Sequence, residues 1–269
     1  MSKQEGKDYL VFETKTILDI RAITTFGLHA KPNTKSPIGY FGTGLKMAIA
    51  VLCRLGIPVE VHIGTAQYAF RADPIMFRSK EFQLITMGRK RSLAALWDTH
   101  EMPFTTELGK NWKLWMAFRE LEANTRDEGG HTYWVNPGAY IHPSLTPTEG
   151  RTRIILHSTP ELREVFNERH TTFLRGGLVE RGSNPEIQIM NGESKYIYYR
   201  GMRVLDLEKP SAFTYNILGG PWCDLTEDRT LKYGYMVPVQ IAQFLAQSTD
   251  KELIHRLLSV NDTHYEHEL

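Results

Sequence analysis

Apolar residues along the chain switch between two spacings, and the switches predict the elements. Tyr9-Leu10-Val11-Phe12 is a short apolar run and reads as a strand. Residues 18–25 place Ile20 and Ile23 at helical spacing. Residues 47–55 are apolar almost throughout, with no breaker before Gly56, and predict a buried helix. Val59-Glu60-Val61-His62-Ile63 alternates as a half-buried strand does, which makes His62 a strand-face residue rather than a ligand. Residues 68–70 and 82–86 predict two more strands, and strands in series with short links predict an antiparallel meander. The basic run 87–91 reads as a solvated turn. Asn111 is a plausible N-cap for a helix over residues 112–128, which contain neither Gly nor Pro. Leu114, Phe118 and Leu121 form its buried stripe, and Gly129-Gly130 ends it.

Beyond that helix, His131-Thr132-Tyr133-Trp134-Val135 predicts a strand, 136–150 a loop rich in Pro and Thr, and 153–156 another strand. Ser158-Thr159-Pro160-Glu161 opens a helix with a capping box and a Pro in the first turn, continued by Leu162, Val165 and Phe166. Gly176-Gly177 and Gly182-Ser183-Asn184-Pro185 mark a boundary between residues 1–182 and a second region, 183–269. That region reads as strand, turn and strand over 195–204, a strand at 213–217, a helix near 238–246, and a last helix capped by Asp250 with Leu253, Leu257 and Leu258. The fold class that follows is α+β. Its first region is a two-layer sandwich of helices on a mixed or antiparallel sheet, and the C-terminal region is a smaller α/β unit.

Composition narrows the function classes. A chain of 269 residues with 41% hydrophobic and 23% charged residues can bury a full core. A net charge of +1 gives no strong nucleic-acid signal. Cys53 and Cys223 lie far apart, and Cys53 falls inside an apolar helix, so reduced thiols and a reducing compartment are expected. No apolar run reaches the roughly 18–20 residues of a membrane span, and residues 1–8 carry no signal-peptide core. A cytoplasmic protein without membrane contact is the expectation. No histidine pair has the spacing of a zinc motif, and no Ser or Cys stands in a nucleophile motif.

Two stretches carry candidate chemistry. Gly39, Gly42 and Gly44 lie in Pro37-Ile38-Gly39-Tyr40-Phe41-Gly42-Thr43-Gly44-Leu45-Lys46, directly ahead of the first long apolar helix. A glycine-rich turn feeding a helix N-terminus presents unpaired N–H groups and the positive end of the helix dipole, a setting for a phosphate. An ordinary turn capping a buried helix has the same appearance. The Walker pattern fails, because Leu45 follows Gly44 and Lys46 comes one place late; the dinucleotide fingerprint fails at Met47. The preceding loop holds Lys31 and Lys35, either phosphate-reaching or simply solvated. The second stretch is the polar stripe Glu120, Asn124 and Asp127, spaced i, i+4, i+7 beside the apolar one. An amide oxygen can ligate a hard cation and a carboxylate can activate water. A solvated helix face would show the same spacing.

The residue identities add a resemblance. The spacing G-x-x-G-x-G-[LF] over Gly39, Phe41, Gly42, Thr43, Gly44 and Leu45 resembles the second glycine box of the GHKL ATPases (gyrase, heat-shock chaperone, histidine kinase, MutL), and Arg119-Glu120-Leu121-x-x-Asn124-x-x-Asp127 resembles their N-box. The resemblance implies a Bergerat-like ATP-binding fold, ATP and Mg²⁺ as ligands, Glu120 as general base, Asn124 as the metal ligand and Asp127 in support. It implies phosphate contacts from the glycine box, Lys46 and the lid residue Lys31. The N-box here follows the glycine box instead of preceding it, so the order implied is a circular permutation. No D-x-G-x-G box for adenine occurs; Glu13, ahead of the lid-like loop, is the acidic candidate. The last third resembles the family's transducer segment, which implies a γ-phosphate contact from Arg229 or Lys232, Arg229 being preferred. Such ATPases act as slow clamps on a protein partner or a second copy; a silent, partner-binding relative is the alternative. The chain as a whole also resembles small phage and plasmid ATP-binding proteins.

Overall fold

The computed structural model describes residues 8–28, 43–91, 96–138, 142–174, 178–223, 225, 226, 229 and 231–269. The chain divides into two units, Met1–Asn167 and Glu168–Leu269. The first holds β1 (Tyr9–Thr14), α1 (Arg21–Thr24), α2 (Gly44–Arg54), β2 (Val59–Ile63), β3 (Ala66–Phe77), β4 (Lys80–Arg91), β5 (Leu96–Thr105), α3 (Leu114–Asp127), β6 (His131–Val135), β7 (Thr152–His157) and α4 (Pro160–Asn167). The seven strands form one antiparallel sheet in the order β5-β4-β3-β2-β7-β1-β6. The expected α+β sandwich is the architecture observed.

Alternation along β1 sorts the two faces. Leu10 and Phe12 point into the main core with Ile49, Leu52, Phe118 and Leu121 of α2 and α3, and the Phe12 and Phe118 rings lie 5.7 Å apart. Val11 points the other way, onto Val135 and Ile155 under Leu145 of the 142–150 segment. α2 forms because residues 44–54 carry no breaker, and it is buried on nearly every side. The loop 106–112 between β5 and α3 is held by Arg54, whose guanidinium donates to the carbonyls of Thr106, Gly109 and Trp112.

Local readings change, and one strand is added. The basic run 87–91 lies inside β4, paired to β3 and β5, not in a turn. Its alternation is hidden because Gly88 has no side chain of its own; the Trp97 ring from β5 covers that position. The turn instead falls at Arg78-Ser79, both with positive φ (46° and 64°), the two-residue hairpin geometry. β5 itself is an edge strand whose mixed polarity and Pro103 conceal it in the sequence. The N-cap of α3 is Lys113 rather than Asn111, and it makes no side-chain cap bond. At α4 Pro160 opens the helix as expected, but the cap is Thr159, whose Oγ1 accepts from the Leu162 N–H at 3.1 Å, and not the Ser158/Glu161 box.

The second unit holds α5 (Arg169–Thr172), β8 (Glu180–Ser183), β9 (Ile187–Tyr199), β10 (Met202–Ile217), α6 (Met236–Ala246) and α7 (Lys251–Leu258). It begins earlier than the glycine-rich stretch suggests, because residues 180–183 pair with β9 as β8. β9 and β10 are long and bent, and Tyr215, Asn216 and Ile217 each face two residues of β9. Ile187, Ile189, Phe213, Tyr215, Val237, Ile241 and Leu253 make a separate core. Asp250 Oδ1 accepts from the N–H groups of Glu252 and Leu253, the cap expected for α7. The buried Glu266 carboxylate accepts from the Ala212 N–H at 2.9 Å and the Tyr215 hydroxyl at 2.7 Å. Neither Cys53 nor Cys223 is in a disulfide, and burial pushes the Cys53 thiol up to about 12. Among the described residues no helix is long and apolar enough to cross a membrane.

Candidate functional site

The two informative stretches meet in the helical layer of the first unit. Gly44 is the first residue of α2 and is buried. Its Cα lies against the carboxylate of Glu120 from α3: a Cβ placed there would come within 2.7 Å of Oε2 and closer still to Oε1. A side chain here would have to push the end of the Glu120 side chain aside; the backbone angle makes no demand for glycine. Glu120 is only 3% exposed. Asn124, one turn along α3, donates from Nδ2 to Glu120 Oε1 at 2.9 Å. The i, i+4 spacing thus becomes a joined carboxylate–amide pair, set at the amino end of α2.

The positive end of α2 has no acidic residue in its own first turn, and Thr43, its N-cap, makes no side-chain cap bond. Among the described residues the Thr43 Oγ1 atom is buried without a hydrogen-bond partner. The first helical bond runs from the Met47 N–H to the Thr43 carbonyl at 3.0 Å, so the N–H groups of Gly44, Leu45 and Lys46 lie ahead of the intrahelical ladder. The first-turn amides of α2, its helix dipole and a carboxylate–amide pair are therefore collected in one place.

The other expected residues have varied placements. Leu45 packs onto the main core. Lys46 is fully buried, donates from Nζ to the Ala22 carbonyl of α1 at 2.7 Å, and stands 5.3 Å from the Phe26 ring centroid. Burial lowers its pKa. Asp127 is exposed at the end of α3, so the stripe grades from buried Glu120 through half-buried Asn124 to solvent. Lys31, Gly39, Phe41 and Gly42 lie outside the described residues. Arg229 belongs to the second unit, buried, with a left-handed backbone (φ 58°) and its N–H donating to the Thr226 carbonyl at 2.9 Å.

Glu13 is not brought to this place. It shares the face of β1 with Val11, away from α2 and α3, and its carboxylate is bound by Arg151 and Arg153 and by the Tyr133 hydroxyl at 3.1 Å. Burial opposes ionisation there, but the Arg153 bonds and charge, with Tyr133 and Arg151 behind them, hold the carboxyl below its ordinary range. The sequence signal for this cluster was strand alternation: on antiparallel β7, Arg153 stands directly across from Glu13.

The donor set suits one metal class. A carboxylate and an amide oxygen are hard ligands, and Mg²⁺ is usually held by one or two such groups with the substrate's phosphates and water completing its shell. No cluster of three or more His, Cys, Asp or Glu that could hold a metal by itself occurs among the described residues. The arrangement can therefore share a cation with a bound phosphate rather than cage one. No protein-family model matches the sequence, and neither the curated proteins nor the solved structures give a match.

Proposed function

We propose that the first unit binds Mg-ATP at the amino end of α2 and hydrolyses it slowly, as a permuted GHKL-type ATPase whose closure acts on a protein partner or a second copy. One observation carries the reading: Gly44 and Glu120, far apart in sequence, are in contact, with Asn124 joined to the same carboxylate. In this reading the amides at the start of α2 hold the phosphates. Asn124 gives Nδ2 to Glu120, and its Oδ1 would be the amide atom to hold Mg²⁺. The metal, when bound, neutralises phosphate charge. Glu120 orients the attacking water and takes its proton.

The second reading, a partner-binding protein that does not turn over nucleotide, has its own support in Glu13. The acidic residue in line for the base is engaged by two arginines on the far face of the sheet, so no adenine-recognising carboxylate is named in the first reading.

Equilibrium binding of ATP with and without Mg²⁺, joined to a phosphate-release assay, separates the two. Glu120→Ala should abolish turnover and keep Mg-ATP binding, while Asn124→Ala should weaken the Mg²⁺-dependent part of binding. Wild-type protein that neither binds nor hydrolyses ATP in Mg²⁺ sinks the first reading.

A further inference from the structure

The hairpin of β3 and β4 outruns its neighbours. β2 pairs with β3 over residues 66–70, and β5 pairs with β4 over residues 84–91. Residues 71–82 therefore extend past both as a two-stranded ribbon, closed by the Arg78-Ser79 turn. At its tip Met76 is 68% and Phe77 58% exposed. Successive strand residues point to opposite faces. Phe77 shares one face with Lys80, its cross-strand partner, above Ile75 and Phe82; Met76 shares the other with Glu81. The Phe77 and Phe82 rings stand 6.5 Å apart, edge to face. The Arg78 guanidinium lies 5.4 Å from the Phe77 centroid, and Lys80 Nζ 5.0 Å from that of Phe82. Glu81 accepts from Gln83 Nε2 at 3.1 Å, so two cations and one acid surround the exposed apolar pair. Lower on the ribbon, Asp73 is taken up by Arg71 and Thr86.

We propose that this tip inserts shallowly into an anionic lipid surface. Apolar side chains leave both faces of a convex tip. A partner must therefore surround it rather than meet one flat face, and a fluid headgroup layer does so. Met76 and Phe77 enter the acyl boundary, while the long stems of Arg78 and Lys80 carry their charges up to the phosphates. Those two cations already cover ring faces that a nucleobase would need for stacking, which disfavours a nucleic acid. The contact departs from the sequence expectation of no membrane contact, which rested on spanning segments; a tip of this size needs none. It is weak and reversible by itself, and it requires nothing of the nucleotide site.

The test is co-sedimentation of the full chain with vesicles of phosphatidylcholine, alone or mixed with phosphatidylserine, over rising lipid and at low and high salt. Wild type should partition onto the mixed vesicles at low salt and lose most of that binding on phosphatidylcholine or in high salt. Met76→Ser with Phe77→Ser should weaken partitioning about tenfold or more. Arg78→Asn and Lys80→Gln should each weaken it about fivefold. Leu258→Ser removes an apolar side chain of the second unit that is 82% exposed, and it should bind as wild type does. All these side chains are exposed, and circular dichroism confirms that each variant is folded. The proposal is overturned if wild type stays in the supernatant with the mixed vesicles, the tip then being left to a pocket on a protein. It is equally overturned if the double serine variant sediments like wild type, or if Leu258→Ser loses as much as that variant does.

Discussion

At Gly44 a hydrogen in place of a methyl group decides whether α2 and a carboxylate of α3 can touch. In an isolated helix, alanine is better than glycine by about 1 kcal/mol. Here the added Cβ would run into the Glu120 carboxylate, and overpacking of this kind costs about 1–3 kcal/mol. Glu120 is buried and has little room to yield, so Gly44→Ala should destabilise the first unit by up to that amount in urea denaturation. Glu120→Ala on the same background should relieve most of the loss, since it removes the group that the methyl meets. Additive losses in the double variant would show that the contact is not the cause. Lys46 makes a complementary point: a lysine near a glycine box suggests a phosphate ligand by composition, yet its Nζ donates to Ala22 in α1. Which way a side chain leaves a helix is set by what packs beside it.

The element scale is clearest at the seam between β2 and β7. Glu60 on β2 lies 3.6 Å from His157 Nε2 of β7 and 3.5 Å from His62 Nε2 of its own strand, and Gln67 of β3 donates to it at 2.9 Å. The imidazoles of His157, then His62, beside it hold its carboxyl well below the ordinary range despite burial. The sign follows from linkage. In the unfolded chain Glu60 takes up its proton near the ordinary value, whereas the folded state resists, so the unfolded state binds more protons as pH falls. The stabilisation is present above about pH 4.5 and is lost as pH drops below it. Glu60→Gln should flatten the fall in unfolding free energy between pH 5 and pH 3, roughly the window of carboxylate titration, measured by urea titration. An unchanged slope would assign the seam no such role. Alternation in residues 59–63 was legible because β2 has one apolar face. That a neighbouring strand would bring His157 to Glu60 was not, because strand order is set by long-range pairing.

At the scale of the molecule there are two units with separate apolar cores. A ligand that binds only the native first unit should stabilise that unit by mass action, by about 2.7 kcal/mol when it stands at a hundred times its Kd. Trp97, Trp112, Trp115 and Trp134 lie in the first unit and Trp222 in the second. Fluorescence melting of Trp222→Phe protein therefore reports the first unit alone, and Mg-ATP should raise that transition; no shift at saturating Mg-ATP would contradict the proposed site. Periodicity, turn residues and caps by themselves determined that the chain is α+β, where α2 and α3 run, that Asp250 starts α7, and which residue types could handle a phosphate and a cation. These are local properties, set within a few residues along the backbone. Only the tertiary structure decided that Glu120 rests on Gly44, that Glu13 faces two arginines on the opposite side of the sheet, and that residues 87–91 and 96–105 are paired strands. Those outcomes depend on register and on which strand lies next to which, and the free energy that fixes them comes from contacts between segments that a linear pattern leaves unpaired.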